Sequence, residues 1–160
     1  MRLKSFVVLL VLLIVVLISA CSLQNNAQLK DGYYTAEADS FDENGWKEYV
    51  TVYVSGSKIV TVEYNAKNSS GFIKSWDMQY MRDMNEAKNI YPNKYTRDYA
   101  EMLLNWQDAD KVDAISGATH SGISFKLLAK AVVQKAKQGD KQVAFVKIPT
   151  AAEMDKDYIK

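Results

Sequence analysis

Residues 113–122 bring together the side chains of this chain that could do chemistry, in the order Asp-Ala-Ile-Ser-Gly-Ala-Thr-His-Ser-Gly. The hydroxyls of Ser116, Thr119 and Ser121 can donate and accept hydrogen bonds. Gly117 and Gly122 allow a sharp turn or a close approach of the backbone to another group. Apolar residues recur at helical spacing directly afterwards and predict a helix over about residues 121–138. They are Phe125, Leu128, Ala129, Val132, Val133 and Ala136.

The junction between this loop and the helix suits a phosphate group. The first amides of a helix lack intrahelical partners, and that end of the helix is partly positive. A loop of small residues that leads into it can therefore bind an anion. The alternative is an ordinary helix start, with Thr119 or Ser121 as the capping residue. A nucleoside triphosphate loop is excluded, because Ile123 stands where that motif needs a lysine.

The remaining patterns predict an α+β fold: an antiparallel sheet, made of one strand plus a hairpin, packed by about three helices in a single domain. Residues 32–38 form the first strand, and residues 47–54 and 59–64 alternate in residue type around a turn at 55–57. The valine face of the hairpin should meet the helices, and the Tyr/Thr face should be wetter. Helices are predicted over about residues 72–88 and 96–106, and residues 142–148 predict a last short strand.

Two stripes of aromatic residues and methionine define the faces of the first two helices. Pro92 separates these helices, and Thr96 is predicted to cap the second one. We interpret both stripes as core rather than as a surface for a planar ligand, since such stripes pack inward in most helices. The stripes are Trp76, Tyr80, Met84 and Ala87 in the first helix, and Tyr99, Met102, Leu103 and Trp106 in the second.

The N-terminus is typical of an exported lipoprotein. Arg2 and Lys4 precede an unbroken apolar run over residues 6–18, which predicts a signal peptide over residues 1–20. An uncleaved anchor is the alternative. Cys21, the only cysteine, follows Ile-Ser-Ala and is predicted to be lipidated rather than a free thiol. Residues 21–30 are then a tether, residues 31–148 the folded domain, and residues 149–160 a polar tail that frays.

Charge and residue counts exclude several classes of function. The chain has 20 Lys and Arg and 19 Asp and Glu, so loss of Arg2 and Lys4 with the signal leaves 18 basic and 19 acidic side chains. That balance gives no attraction to nucleic acid. One histidine and one cysteine are too few for a zinc, haem or iron–sulfur site. His120 is next to Ser121 but poorly placed as its base, and we interpret it as an exposed loop residue. We therefore expect no catalytic residues and no metal ligands.

The run Asp113-Ala-Ile-Ser-Gly-Ala-Thr119 resembles the flavinylation motif Asp-x-x-(Ser/Thr)-Gly-Ala-(Thr/Ser) of the FMN-binding domain family. That family includes the covalent-flavin subunits of the Rnf complex and of sodium-pumping NADH:quinone reductase, and small lipoproteins of extracellular electron transfer. An opening Asp-Gly-x-Tyr strand, a hairpin and a closing helix are also shared, from about residue 31 to residue 138. The resemblance implies that a flavin transferase joins FMN to Thr119 through a phosphoester.

The same resemblance assigns roles to the other motif residues. Amides of Gly117, Ala118 and the helix start are expected to bind the phosphate oxygens. Ser116 adds a hydrogen bond to the phosphate, and Asp113 serves the modification step rather than retention of the flavin.

The implied function is that of an electron carrier on the outer face of the bacterial cytoplasmic membrane, rather than a stand-alone enzyme. Its implied partners are the transferase, membrane lipid through Cys21, a membrane redox donor, and an extracellular or quinone-linked acceptor. No Gly-x-Gly-x-x-Gly fingerprint for a nicotinamide cofactor is present. Two alternatives stay open: a lipoprotein that binds FMN without a covalent bond, and a surface lipoprotein with no cofactor.

Overall fold

The computed structural model describes residues 28–159, which form a four-stranded sheet and four α-helices. The strands are β1 Gly32–Ala38, β2 Lys47–Ser55, β3 Lys58–Lys67 and β4 Ala144–Val146. The helices are α1 Met78–Lys88, α2 Pro92–Trp106, α3 Thr119–Gln138 and α4 Ala151–Asp157, with short 3-10 helices at Lys74–Trp76 and Ala109–Lys111. Within residues 28–159, no helix combines the length and hydrophobicity needed to cross a membrane.

The hairpin of β2 and β3 forms because residue types alternate along both strands. Alternate valines of β2 are fully buried, whereas Thr51 and Tyr53 on the opposite face are partly exposed. β1 pairs antiparallel with β2, with Tyr34 opposite Val52. The predicted strands and the inward valine face are confirmed, as is the α+β class.

The last strand makes the sheet mixed rather than purely antiparallel. β4 pairs parallel with β1, with Ala36 opposite Ala144, and gives the strand order β3-β2-β1-β4. It has only three residues. The long connection through all three preceding helices is what allows the chain to return to the edge of β1 in the same direction.

Two helices cover the valine face. α3 packs on β1 and β2, and α2 packs on β3. The predicted stripe of α3 is buried from Phe125 to Ala136 except for Val133, which packs partly buried against the core. Between the layers, the Phe125 ring lies 4.9 Å from that of Tyr64 and 5.4 Å from that of Tyr99, measured between centroids. This aromatic cluster fixes the position of the N-terminal half of α3.

The predicted helix over residues 72–88 is wrong in its first part. Trp76 belongs to the 3-10 helix and is exposed. The Asp77 backbone is extended, and its carboxylate accepts a hydrogen bond from the amide of Tyr80 (3.0 Å), so α1 starts after it. No residue of α1 is fully buried, although Met84 packs partly buried against the core. The interpretation of the stripe as core is therefore wrong for Trp76 and Ala87, which are exposed.

The start of α2 also differs from the prediction. α1 ends at Lys88 and is capped by Asn89, whose φ of 51° lies in the left-handed region, and Pro92 is the first residue of α2. Proline suits that position because its missing amide is not needed there. Thr96 lies one turn inside α2 and donates its hydroxyl to the carbonyl of Pro92 (2.8 Å), so it is not the cap.

The C-terminal tail folds as a helix instead of fraying. Thr150 and Glu153 form a reciprocal capping box at the start of α4. Met154 is buried and anchors the helix on the domain. Capping satisfies the first amides, and burial of one apolar side chain supplies the attachment, which together order residues 151–157.

Candidate functional site

A cleft of about 670 Å³ opens where the N-terminus of α3 faces the start of β2, α1 and the C-terminal segment. Its size is that of a site for a small molecule or cofactor. Gly117, Ala118 and Thr119 line it from the motif. The opposite walls carry Trp46, Glu48, Lys74, Tyr80, Met84 and Met154.

The other predicted site residues lie elsewhere. Asp113 and Ser116 are exposed on the loop before the helix and do not line the cleft. Their expected roles, in modification for Asp113 and toward the phosphate for Ser116, stay predictions. Cys21 lies outside the described residues, and so do the signal peptide and the rest of the tether up to residue 27.

Tyr99 of α2 holds the motif loop in place. Its hydroxyl accepts a hydrogen bond from the amide of Ile115 (2.9 Å) and donates one to the carbonyl of Ala118 (3.1 Å). A Cβ atom on Gly122 would collide with this hydroxyl. Gly122 is therefore the residue that lets Tyr99 reach the loop, and Tyr99 is a positioning residue for Thr119.

Gly117 allows the loop to bend tightly against the end of α1. Its φ is 78°, in the left-handed region that favours glycine. A Cβ atom there would lie 2.8 Å from Ile90 Cγ2 and 3.0 Å from the carbonyl oxygen of Lys88. Both the backbone conformation and the packing explain why this motif position is glycine.

The N-terminus of α3 has no side-chain cap. Ala118 occupies the N-cap position, and the alternative of an ordinary helix start capped by Thr119 or Ser121 is wrong. Ala118 donates its own amide to the carbonyl of Ile115 (3.0 Å). Among residues 28–159, the amides of Thr119, His120 and Ser121 have no acceptor. Three amides at the positive end of a 20-residue helix thus remain available beside the cleft.

A polar cluster lies at the base of the cleft. The Tyr64 hydroxyl can donate to Glu48 Oε1 (2.8 Å) or to the carbonyl of Ser121 (2.9 Å). Burial raises the pKa of the Glu48 carboxyl. The Lys74 ammonium opposes this rise in the pKa of Glu48 but does not cancel it. Burial also raises the pKa of Tyr95 to about 12, so this phenol is neutral near physiological pH.

Lys74 is the buried cation of this cluster. Its side chain lies beside two aromatic rings, with Nζ 4.9 Å from the ring centroid of Tyr80 and 5.7 Å from that of Trp46. Burial by itself lowers the pKa of Lys74, but the facing groups, including Glu48, outweigh it and hold the pKa above the ordinary value. The ammonium is therefore charged at neutral pH.

The C-terminal segment closes one side of the cleft. Ile148, Pro149 and Met154 line it. His120 lies in the first turn of α3, with Nε2 2.7 Å from Asp155 Oδ1 of α4. The interpretation of His120 as a loop residue is wrong, since it connects two helices at the rim.

Sequence reasoning missed Lys74, Glu48 and Trp46 as cleft residues, because each is a single residue in a stretch with no chemical motif. The capping box at Thr150 was the one available signal that the tail folds onto the domain. Among residues 28–159, no group of three or more His, Cys, Asp or Glu side chains is arranged to hold a metal ion.

Known proteins are similar to this chain in sequence and in fold. Residues 45–134 match the family of the FMN-binding domain. The 15 kDa lipoprotein of Treponema pallidum (strain Nichols) is 38% identical over 131 residues, which cover 82% of this chain and 91% of that protein. The crystal structure of the CPE2226 protein from Clostridium perfringens has a TM-score of 0.73 and 34% identity, covering 76% of this chain and 99% of that one. The resemblance seen in the motif is confirmed: the chain belongs to the FMN-binding domain family, and its cofactor is FMN.

Proposed function

We propose that this protein is a membrane-anchored electron carrier of the outer face of the bacterial cytoplasmic membrane, with FMN joined covalently to Thr119. The bond is a phosphoester to Thr119 Oγ1, made by a flavin transferase from FAD: the new P–O bond forms as the pyrophosphate P–O bond breaks, AMP leaves, and the hydroxyl proton is lost to solvent. When bound, the isoalloxazine ring of FMN supplies the exchange of one or two electrons. The protein then needs no catalytic acid or base of its own.

The position of Thr119 is the observation that carries this proposal. It is the first residue of α3 and lines the cleft. Among residues 28–159 its hydroxyl has no hydrogen-bond partner. A phosphate joined to this oxygen lies next to the three free amides of Thr119, His120 and Ser121, where the helix dipole stabilises negative charge.

The rest of the cleft fits the flavin ring. Trp46, Tyr80 and Met84 offer apolar surface on the wall opposite the motif. Because the chain belongs to the FMN-binding domain family, we set aside the alternative of a surface lipoprotein with no cofactor. A covalent bond suits an exported protein, because FMN that dissociates outside the cytoplasm is lost by dilution.

Anchoring is proposed through lipid on Cys21. The sequence before Cys21 has the form of a lipoprotein signal, and the Treponema pallidum relative is named a lipoprotein. Two or more acyl chains hold a protein stably on a membrane. Residues 21–30 then tether the domain close to a membrane redox donor, and an extracellular or quinone-linked acceptor takes the electrons.

Intact-mass measurement after co-expression with a flavin transferase tests the attachment. We expect an FMN-sized mass increment on the wild type and on Thr119→Ser, which keeps a hydroxyl, and none on Thr119→Ala. Thr61→Ala, on the exposed side of β3, is the matched control and should be modified like the wild type. Yellow protein that loses all its flavin on denaturation would instead support non-covalent binding and overturn the covalent proposal.

A further inference from the structure

Lys74 is a buried cation with no anionic partner in contact. It is 6% exposed and lines the cleft. Among residues 28–159, its Nζ makes no hydrogen bond and has no carboxylate within 4.0 Å, and because no side-chain nitrogen or oxygen in this range is both closed off from solvent and unpartnered, this Nζ is open to the cleft. The charged or titratable groups that face it are Glu48 of β2, Asp42 of the preceding turn, Tyr80 of α1 and Tyr95 of α2.

Most of the Lys74 side chain is out of water, and its ammonium can meet solvent only through the cleft. It is therefore less well hydrated than the ammonium of a surface lysine, and the nearby faces of Trp46 and Tyr80 offset part of that loss of hydration. Glu48 directs its Oε1 toward Tyr64 (2.8 Å) rather than toward the ammonium. All three ammonium protons are thus available to an oxygen or nitrogen acceptor that enters the cleft.

The surroundings of Lys74 indicate which part of FMN it meets. The free amides at the start of α3 already provide for the phosphate at Thr119. Lys74 lies instead beside the rings of Trp46 and Tyr80, which pack edge-to-face with centroids 6.2 Å apart and offer an aromatic surface that suits a flat ring better than a hydrated phosphate. A cation beside a flavin ring is most useful where negative charge develops on reduction.

We propose that the Lys74 ammonium contacts the FMN ring and would stabilise the negative charge that the bound ring gains on reduction. This inference rests on the family's FMN site and deepens the proposed function. When bound, FMN would take two electrons from an external reductant and one proton from solvent, which would leave one negative charge on the ring. Lys74 would balance that charge without transferring a proton. Lys74 thereby raises the reduction potential of the bound flavin.

The first test measures the midpoint potential of loaded protein by dithionite titration with a reference dye. In Lys74→Met we expect the equilibrium constant for reduction of the flavin to fall at least tenfold, which lowers the midpoint potential by about 30 mV for a two-electron couple. Lys74→Gln is a second variant for the case in which Lys74→Met does not fold. Lys88→Met is the matched control, because Lys88 lines the rim but is exposed and screened by solvent. This control should change the equilibrium constant for reduction by less than threefold, which is a shift in midpoint potential below about 15 mV.

The second test uses unloaded protein with riboflavin and FMN as probes, and quenching of flavin fluorescence as the measurement. If Lys74 contacts the ring, Lys74→Met lowers the affinity for riboflavin and for FMN by the same factor, at least about fivefold. Weaker binding of FMN alone would mean that Lys74 contacts the phosphate, and the inference would be wrong. An unchanged potential in fully loaded Lys74→Met would also overturn it while leaving the proposed function intact. Absence of the covalent mass increment in wild type would refute only the attachment.

Discussion

Replacement of Tyr99 by phenylalanine tests how the motif is held. The change removes one oxygen that makes two buried hydrogen bonds, from the amide of Ile115 (2.9 Å) and to the carbonyl of Ala118 (3.1 Å). Each bond contributes about 1 kcal/mol, and the amide left without a partner adds about 1–2 kcal/mol. We therefore expect the free energy of unfolding to fall by about 3–4 kcal/mol, with a melting temperature lower by about 9–12 °C.

The same variant should also be modified more slowly. Without its two anchors the loop no longer fixes Thr119 at the start of α3, and misplacement of a reacting group by a fraction of an ångström slows a reaction roughly tenfold. Circular dichroism on heating measures the stability, and the intact mass against time of exposure to a flavin transferase measures the rate.

Tyr34→Phe is the matched control for this experiment. It removes one hydroxyl, which donates to the carbonyl of Lys30 (2.9 Å) at the far end of α3 from the cleft. We expect Tyr34→Phe to lower the free energy of unfolding by about 1 kcal/mol and to leave the rate of modification unchanged. If Tyr99→Phe were no less stable than Tyr34→Phe and equally fast in modification, the assignment of Tyr99 as the positioning residue would be refuted.

Two further predictions concern the same region. Gly122→Ala should destabilise the wild type by more than about 2 kcal/mol, because the new Cβ collides with the Tyr99 hydroxyl. The same substitution should destabilise a Tyr99→Phe protein clearly less. Equal losses of stability in the two backgrounds, measured by urea unfolding in a double-mutant cycle, would contradict the contact. Burial raises the pKa of the Glu48 carboxyl above its ordinary value, so the folded protein binds this proton more tightly than the unfolded chain does. Ionisation of Glu48 therefore lowers stability as pH rises from the pKa of the unfolded state through that of the folded state. Glu48→Gln, which keeps an acceptor for Tyr64 but cannot ionise, should therefore gain stability relative to wild type between about pH 4 and about pH 7.5, and urea unfolding at both pH values would show no such change if the carboxyl were unperturbed.

The elements that sequence predicted well are those with long, regular patterns. The alternating valines of β2 and the stripe from Phe125 to Ala136 each repeat one period many times, so local pattern and tertiary packing agree. The motif residues Gly117, Ala118 and Thr119 were placed at a helix start, and the structure has them there. What the pattern could not give was the absence of a cap, which depends on backbone geometry at Ala118.

The errors fall where one side chain or one distant contact decides the structure. The extended backbone at Asp77 separates Trp76 from α1 although the apolar spacing continues through it. The sheet was predicted to be antiparallel, but β4 pairs parallel with β1. β4 is only three residues long, and its direction depends on pairing with a strand more than one hundred positions earlier. Lys74 has no sequence signal, because its burial follows from the rings of Trp46 and Tyr80 folding around it.

The central claim is that FMN is carried on the oxygen of Thr119, and peptide mapping of transferase-treated protein tests it most directly. Digestion with trypsin releases residues 112–126, which contain Thr119 together with Ser116, Ser121 and Ser124. Fragmentation of this peptide by mass spectrometry should place one FMN on Thr119 and leave the three serines unmodified. A flavin located on any of the serines, or a peptide of unmodified mass from protein that is yellow, would contradict the account.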